Sequence, residues 1–143
     1  MAISIDIQLL EGGIEPRYQT DGSAGMDVYC TEAFELQPME RRAVPTGIMI
    51  SLPPGYEAQM RPRSGLALNH GIAMVNSPGT IDSDYRGELR AILINLGTKV
   101  VQFERGDRVA QLVVAPVTKV AWNQVATLDS TDRGSGGFGS TGK

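Results

Sequence analysis

Cysteine and histidine are nearly missing from this 143-residue chain, with Cys30 and His70 the sole examples of each. One cysteine excludes an internal disulfide and any zinc site built from several thiolates, and it fits a reducing, cytoplasmic setting. One histidine means that a Ser-His-Asp or Cys-His centre would have to be built around His70 alone. His70 lies between Asn69 and Gly71, a setting that reads as a surface loop at a helix end. Long apolar runs are also lacking, since none approaches the ~18 residues of a membrane span. The opening Met1-Ala2-Ile3-Ser4-Ile5-Asp6 has no basic stretch followed by an apolar one, so no signal peptide and no membrane partner are expected. Excess positive charge is absent too, with a net charge of −3 and a pI near 5.1. A protein that coats DNA or RNA needs a broad basic face, so no nucleic-acid partner is expected. A nucleotide substrate stays open, provided local arginines and a metal ion offset its phosphate charge.

What the chain does have is punctuation and alternation. Seventeen glycines and eight prolines separate short runs in which apolar residues recur at every second position. Ile3, Ile5, Ile7 and Leu9 form one such run and Ile48, Ile50 and Leu52 another. Pro53-Pro54-Gly55 then turns the chain into Tyr56–Met60, and Ile72–Val75, Leu89–Asn95, Val100–Phe103 and Val109–Val114 follow. Strands of this length and spacing predict one all-β domain, closed or sandwiched. The single helical piece is one or two turns at 64–69, too short to stand without tertiary packing. Cys30 is expected to pack as a small buried hydrophobe. From Asp129 onward the composition changes to glycine, serine, threonine and charge, with Phe138 the one large apolar side chain. Such a segment buries too little to order itself. The expected division is therefore a β domain over 1–128 and a flexible arm over 129–143.

Five segments carry candidate chemistry, and each has a plainer alternative. Gly134-Ser135-Gly136-Gly137-Phe138-Gly139 matches a dinucleotide-binding GxGxxG, and Gly137–Lys143 matches most of a phosphate-binding loop. Both patterns need a preceding strand and a following helix, and no Ser or Thr follows Lys143 here. The alternatives are a flexible tail or an arm that closes on a ligand through Arg133 and Phe138. Arg61-Pro62-Arg63-Ser64-Gly65-Leu66-Ala67 opens a helical turn whose free N–H groups, beside Arg63, suit an anion. Its alternative is a Ser64 N-cap with solvent-facing arginines. In Asn76–Glu88, a long hairpin loop rich in turn formers, Asp82 is placed to position a water and Tyr85 to present a ring to a flat or carbohydrate ligand. Ala24-Gly25-Met26-Asp27 puts an acid at the start of a strand, where aspartate is disfavoured, or else in a turn. Gly106–Leu112 enters a strand with Gln111 as a polar interruption, or simply on its solvent face.

In this order and spacing, Ala24–Cys30, Arg61–Ala67, Asn76–Glu88, Gly106–Leu112 and Arg133–Gly142 resemble the five motifs of the trimeric dUTPase family. The resemblance runs from about Gly22 to the last residue. It implies a jelly-roll-like β fold, a homotrimer with shared active sites, and Mg²⁺ held mainly by triphosphate oxygens and waters. It further implies hydrolysis of dUTP to dUMP and pyrophosphate, which limits uracil incorporation into DNA and supplies dUMP for thymidylate synthesis. By resemblance, Asp27 holds a metal-bound water, Arg63, Ser64 and Gly65 bind the phosphate chain, and Gln111 supports them. Asn76, the backbone at Thr80, Ile81 and Asp82, and Arg90 belong to the uracil-reading hairpin. Asp82 orients the attacking water and touches the sugar 3′-hydroxyl, while the Tyr85 ring packs on the deoxyribose. Arg133, Phe138, Gly139 and Ser140 belong to the arm that closes over γ-phosphate and base.

The implied chemistry is physically coherent. Attack at the α-phosphate needs an in-line water, neutralised charge and a fixed geometry. An aspartate is a weak base at neutral pH, so Asp82 is expected to act largely by positioning. Three rivals remain: a dCTP deaminase-like enzyme, for which the chain is short, a non-catalytic nucleotide-binding module, and a structural jelly roll. The intact Asp82, Tyr85 and arm argue against the last two.

Overall fold

The computed structural model describes residues 2–142. Among them are eleven strands and one helix: β1 (Asp6–Leu9), β2 (Met26–Tyr29), β3 (Phe34–Leu36), β4 (Arg41–Pro45), β5 (Ile48–Ser51), β6 (Tyr56–Arg61), α1 (Ser64–His70), β7 (Ile72–Met74), β8 (Gly79–Ile81), β9 (Arg90–Asn95), β10 (Val101–Phe103) and β11 (Arg108–Pro116). All pairings are antiparallel. They form a four-stranded sheet in the order β2-β11-β6-β8, a three-stranded sheet β4-β9-β7, and the two pairs β1-β5 and β10-β3. The result is an all-β domain, as the alternation predicts, with the jelly-roll architecture that the resemblance implies.

The period-two rule explains which side chains reach the core. Ile48, Ile50 and Leu52 are buried, as are Ala91, Leu93 and Asn95 on β9, while their neighbours turn partly outward. Phe34 of β3 stacks on Phe103 of β10 with centroids 4.6 Å apart, and Arg42 caps that pair 5.3 Å above the Phe34 ring. Offset aromatic pairs of this kind add about 0.5–1.5 kcal/mol beyond their burial. Cys30 is fully buried as expected, donates to the Glu104 carbonyl at 3.1 Å, and has its thiol pKa pushed up, chiefly by that burial. It is therefore an inert packing residue.

Three local readings differ from the sequence expectation. The alternation at Ile3–Leu9 becomes a strand only from Asp6; Ile5 packs against the core, but Ile3, Ile7 and Leu9 stay exposed because β1 pairs with β5 alone. β8 forms inside a segment read as loop, because pairing with β6 supplies what turn-forming residues do not. Ser64 is the first helical residue and not the N-cap. Arg63 occupies the cap with φ −95° and ψ 131° and makes no side-chain capping bond, since a guanidinium carries donors only and cannot accept an N–H. The helix ends at Gly71, whose φ of 69° is the left-handed cap and whose missing Cβ would lie 2.7 Å from the Gly97 nitrogen. His70 is the last, exposed residue of α1.

Beyond Pro116 no strand or helix is present in the described residues, and Val120, Trp122, Val125 and Leu128 are exposed, Trp122 to 93%. Among those residues no helix is long and apolar enough to cross a membrane.

Asn95 is the polar rivet of the core. Fully buried, it donates to the carbonyls of Leu36 at 2.9 Å and Lys99 at 2.7 Å, and accepts from the Gly97 N–H at 2.9 Å. Truncation leaves three backbone groups short of a partner, the Leu36 carbonyl among them fully buried. Asn95→Ala is expected to lower the unfolding free energy by roughly 2–4 kcal/mol in urea titrations, and an unshifted midpoint would refute that role.

Candidate active site

The first group of candidate residues is organised by one buried carboxylate. Asp27 on β2 lies opposite Gln111 on β11, which lies opposite Arg61 on β6, so the three side chains share a face of the sheet. Asp27 is only 3% exposed. A charge so deeply buried needs partners, and it has two. Arg63 Nε lies 3.4 Å from Oδ1, and Arg108 Nη1 lies 3.2 Å from Oδ2. Arg63 comes from the residue that caps α1. Arg108 comes from the start of β11, where the register with β2 shifts between Arg108 and Ala110. Gln111 packs beside Gly25, where an added Cβ would meet Gln111 Cβ at 3.3 Å.

Arg63 and Arg108 open onto a cleft of about 820 Å³, together with Lys99 and His70, against one lining carboxylate, Asp107. A chain of net charge −3 thus concentrates cationic side chains in one concavity, which focuses field on an anion. Ser64 and Gly65 do not line this cleft; they are exposed between Arg63 and Leu66, which do. As the first helical residues, they leave their N–H groups without intrahelical partners. Arg108 is a residue that sequence reasoning passed over. Its signal was an arginine directly after the Gly106-Asp107 turn, within a segment already singled out.

A second cleft, of about 300 Å³, collects Asn76, Thr80, Ile81, Asp82, Tyr85 and Arg90, all six expected in the hairpin. β8 is an edge strand of its sheet, so half of its backbone N–H and C=O groups point away from β6. Beyond it the chain turns, with the Tyr85 N–H donating to the Asp82 carbonyl at 3.2 Å. The Tyr85 hydroxyl donates to the Glu88 carbonyl at 3.1 Å. Glu88 holds Arg90 at 3.3 Å. Asp82 is solvent-exposed, free to meet a water. This cleft offers fixed backbone donors and acceptors, one ring and two carboxylates, of which, among the described residues, Glu88 is paired with Arg90 and Asp82 is not, the equipment to read a flat polar ligand bearing a sugar.

The two clefts share no lining residue. Arg133, Phe138, Gly139 and Ser140 line neither of them. Phe138 is fully exposed, and Arg133 donates to the carbonyl of its own neighbour Gly136 at 2.8 Å. One chain therefore displays the three expected parts of the site without closing them on each other. Among the described residues no three His, Cys, Asp or Glu side chains converge. A divalent ion here would draw most of its ligands from a bound polyphosphate and water, an arrangement typical of Mg²⁺.

Comparison with known proteins gives these features a context. A family model described as dUTPase matches residues 13–142. The deoxyuridine 5'-triphosphate nucleotidohydrolase of Anaeromyxobacter sp. (strain Fw109-5) is 58% identical over 128 residues, covering 90% of this chain and 87% of that protein. The protein of the same name from Zymomonas mobilis is 53% identical, with 99% of each chain covered. Among solved structures, a Staphylococcus bacteriophage 80alpha dUTPase with dUPNHPP has a TM-score of 0.91 at 25% identity, covering 99% of this chain and all of that one. A dUTPase from phage phi11 of S. aureus, described with a structural Mg(II) ion, superposes with a TM-score of 0.82 at 24% identity, covering 90% and 100%.

The Asp27 cluster makes a direct prediction about stability. Asp27→Asn keeps the shape but leaves two guanidinium groups adjacent without their counter-charge. Because Arg108 is half exposed and Arg63 partly so, solvent relieves some of that cost, and the expected loss is roughly 1–3 kcal/mol. Urea denaturation measures it, and a variant as stable as the parent would show that the arginines do not depend on Asp27.

Proposed function

The chain belongs to the dUTPase family, and from that membership we propose that its two clefts are the halves of a composite site in which dUTP is hydrolysed to dUMP and pyrophosphate. The observation that carries the division of labour is the convergence of Asn76, Thr80, Ile81, Asp82, Tyr85 and Arg90 on the cleft beside the edge strand β8. Uracil presents a donor at N3 and acceptors at its carbonyls, which a strand edge matches with its own alternating groups. Cytosine presents the reverse pattern at that edge. Leaving buried polar groups unpaired rejects the wrong ligand by roughly 10⁴–10⁵-fold. Thymine is excluded by a clash at its 5-methyl group, and ribose by the Tyr85 ring pressed against the 2′ carbon.

The phosphate chain lies along the basic cleft. Arg63, supported by Gln111, holds it beside Arg108, which Asp27 keeps in place, and the free N–H groups of Ser64 and Gly65 meet it at the rim, between the lining residues Arg63 and Leu66. Asp82 touches the sugar 3′-hydroxyl and orients the water that attacks the α-phosphate, accepting its proton as the new P–O bond forms. Arg63 and Arg133 stabilise charge on the departing pyrophosphate. Mg²⁺ supplies Lewis-acid neutralisation of the phosphates when bound, and Asp27 is the carboxylate that would hold one of its waters. The arm over 129–143 closes the site, with Phe138 on the base and Arg133, Gly139 and Ser140 at the γ-phosphate. Closure excludes water from the charged centre.

A homotrimer with shared sites accounts for the separation of these parts. It is also favoured by an apolar groove of about 540 Å³ that includes Ile3, Ile5, Ile7, Tyr18 and Val114, and by the exposed apolar side chains after Pro116. A cytoplasmic setting suits the single free thiol.

Pyrophosphate release with dUTP, dCTP, dTTP and UTP tests the activity, and turnover restricted to dUTP is expected. Asp82→Asn should cut single-turnover hydrolysis by roughly 10²–10⁴-fold, with calorimetric dUTP affinity kept within a few-fold, since mostly transition-state stabilisation is lost. Near-normal hydrolysis by that variant would sink the assignment. Sharing of sites has its own test. Asp82→Asn and a chain ending at Leu128 should each be inactive, yet co-assembled oligomers should recover activity in sites that combine an intact Asp82 with an intact arm. Mixed oligomers without activity would count against shared sites.

A further inference from the structure

Tyr85 is 46% exposed, and an exposed tyrosine ring does not stay in one place without cause. Its hydroxyl bond to the Glu88 carbonyl is one restraint, and the other is an absence. A Cβ built on Gly87 would lie 2.6 Å from Tyr85 Cζ and 3.0 Å from Cε2, and closer still to the hydroxyl oxygen. Contacts under 3.0 Å are essentially never tolerated, so the ring occupies the space that any other side chain at 87 would take. The Gly87 φ lies outside the left-handed region, and its backbone would accept alanine without strain. The requirement for glycine at 87 therefore comes from the ring and not from the turn.

We infer that Gly87 is a specificity-determining position that acts through Tyr85: its bare Cα is the seat that holds the ring against the sugar and so sets the preference for deoxyribose over ribose. The inference rests on the sugar-facing role given to Tyr85 above. A methyl group at 87 pushes outward a ring that solvent leaves free to move, so the variant should fold normally while the ring abandons the hydroxyl bond to Glu88 and its place beside the cleft. Arg86 does not enter this contact, because its guanidinium is turned to the carbonyls of Ser83 and Tyr85, at 2.7 and 3.0 Å. Base selection, made by the backbone of β8, should be touched less.

The test is a double-mutant cycle on discrimination. Ratios of kcat/KM for dUTP over UTP and for dUTP over dCTP are measured in the parent, Gly87→Ala, Tyr85→Ala and the double variant, with thermal unfolding of each. Fitted sites discriminate single added groups by roughly 10–200-fold, so Gly87→Ala should lower the dUTP/UTP ratio by about 10-fold or more. It should lower the dUTP/dCTP ratio less, and it should add nothing in the Tyr85→Ala background. An unchanged dUTP/UTP ratio in Gly87→Ala overturns the inference, and so does an equal fall with and without Tyr85, which would place the effect in the loop backbone. A Gly87→Ala chain that fails to fold overturns it as well, since the exposed ring would then not be the partner that yields. If Tyr85→Ala itself leaves the dUTP/UTP ratio unchanged, the sugar-facing role of Tyr85 has failed, and the inference falls with that role.

Discussion

A carboxylate buried on a strand cannot be left alone, and the site grows from the way Asp27 satisfies that demand. Its two oxygens draw one arginine from the start of α1 and another from the start of β11. Those two elements are far apart in sequence, so the ion cluster fixes their relative placement as firmly as a packing contact does. The helix has no side-chain cap, because the guanidinium at its cap position has no acceptor to offer, and Arg63 turns to Asp27 instead. Holding two cations together around one anion leaves a local surplus of positive charge at the cleft. An overall acidic protein thereby acquires an anion site without becoming a general nucleic-acid binder.

The second half of the site works by a different physical means. The groups proposed to discriminate at β8 belong to the backbone of an edge strand, whose positions are set by pairing with β6 and not by side-chain rotamers. Such groups cost little entropy to present, because folding has already ordered them. An exposed edge is ordinarily a hazard for aggregation. Here it is short, only Gly79–Ile81, and the turn that follows, with Asp82 and Tyr85, closes one end.

Legibility in the sequence followed the same division. Strands with strict alternation, such as Ile48–Leu52 and Leu89–Asn95, were readable because burial on one face is their cause. β3 and β4 were not, since a three-residue strand and the run Arg41–Pro45, exposed over its first three residues, carry little apolar period. β8 was invisible for a related reason: its strand state comes from pairing with β6, as in Gln59 opposite Thr80. The hairpin residues were legible as one group, but the basic cleft was not, because Lys99 and Arg108 join Arg63 only through the folded sheets. Arg108 was missed because its importance lies in a pairing with Asp27, 81 positions away. Gly87 shows the limit most plainly. In sequence it looks like any turn glycine, and only the ring lying where its side chain would be separates a steric seat from a flexible joint.

That last distinction bears on how the whole site is held. The deep parts, Asp27 with its two arginine contacts and the core asparagine Asn95 with three hydrogen bonds, give the clefts a rigid frame. The parts that the proposed function assigns to sugar and base, Tyr85 and Phe138, are exposed and held by little: one hydroxyl bond and a vacancy in one case, and no cleft contact in the other. A ligand must therefore supply the contacts that fix them. Binding free energy spent on ordering exposed aromatic groups is recovered only by a ligand that fits both at once. A lightly held periphery on a rigid frame thus makes selectivity a property of closure, with each wrong base or sugar failing to complete the assembly that the right one completes.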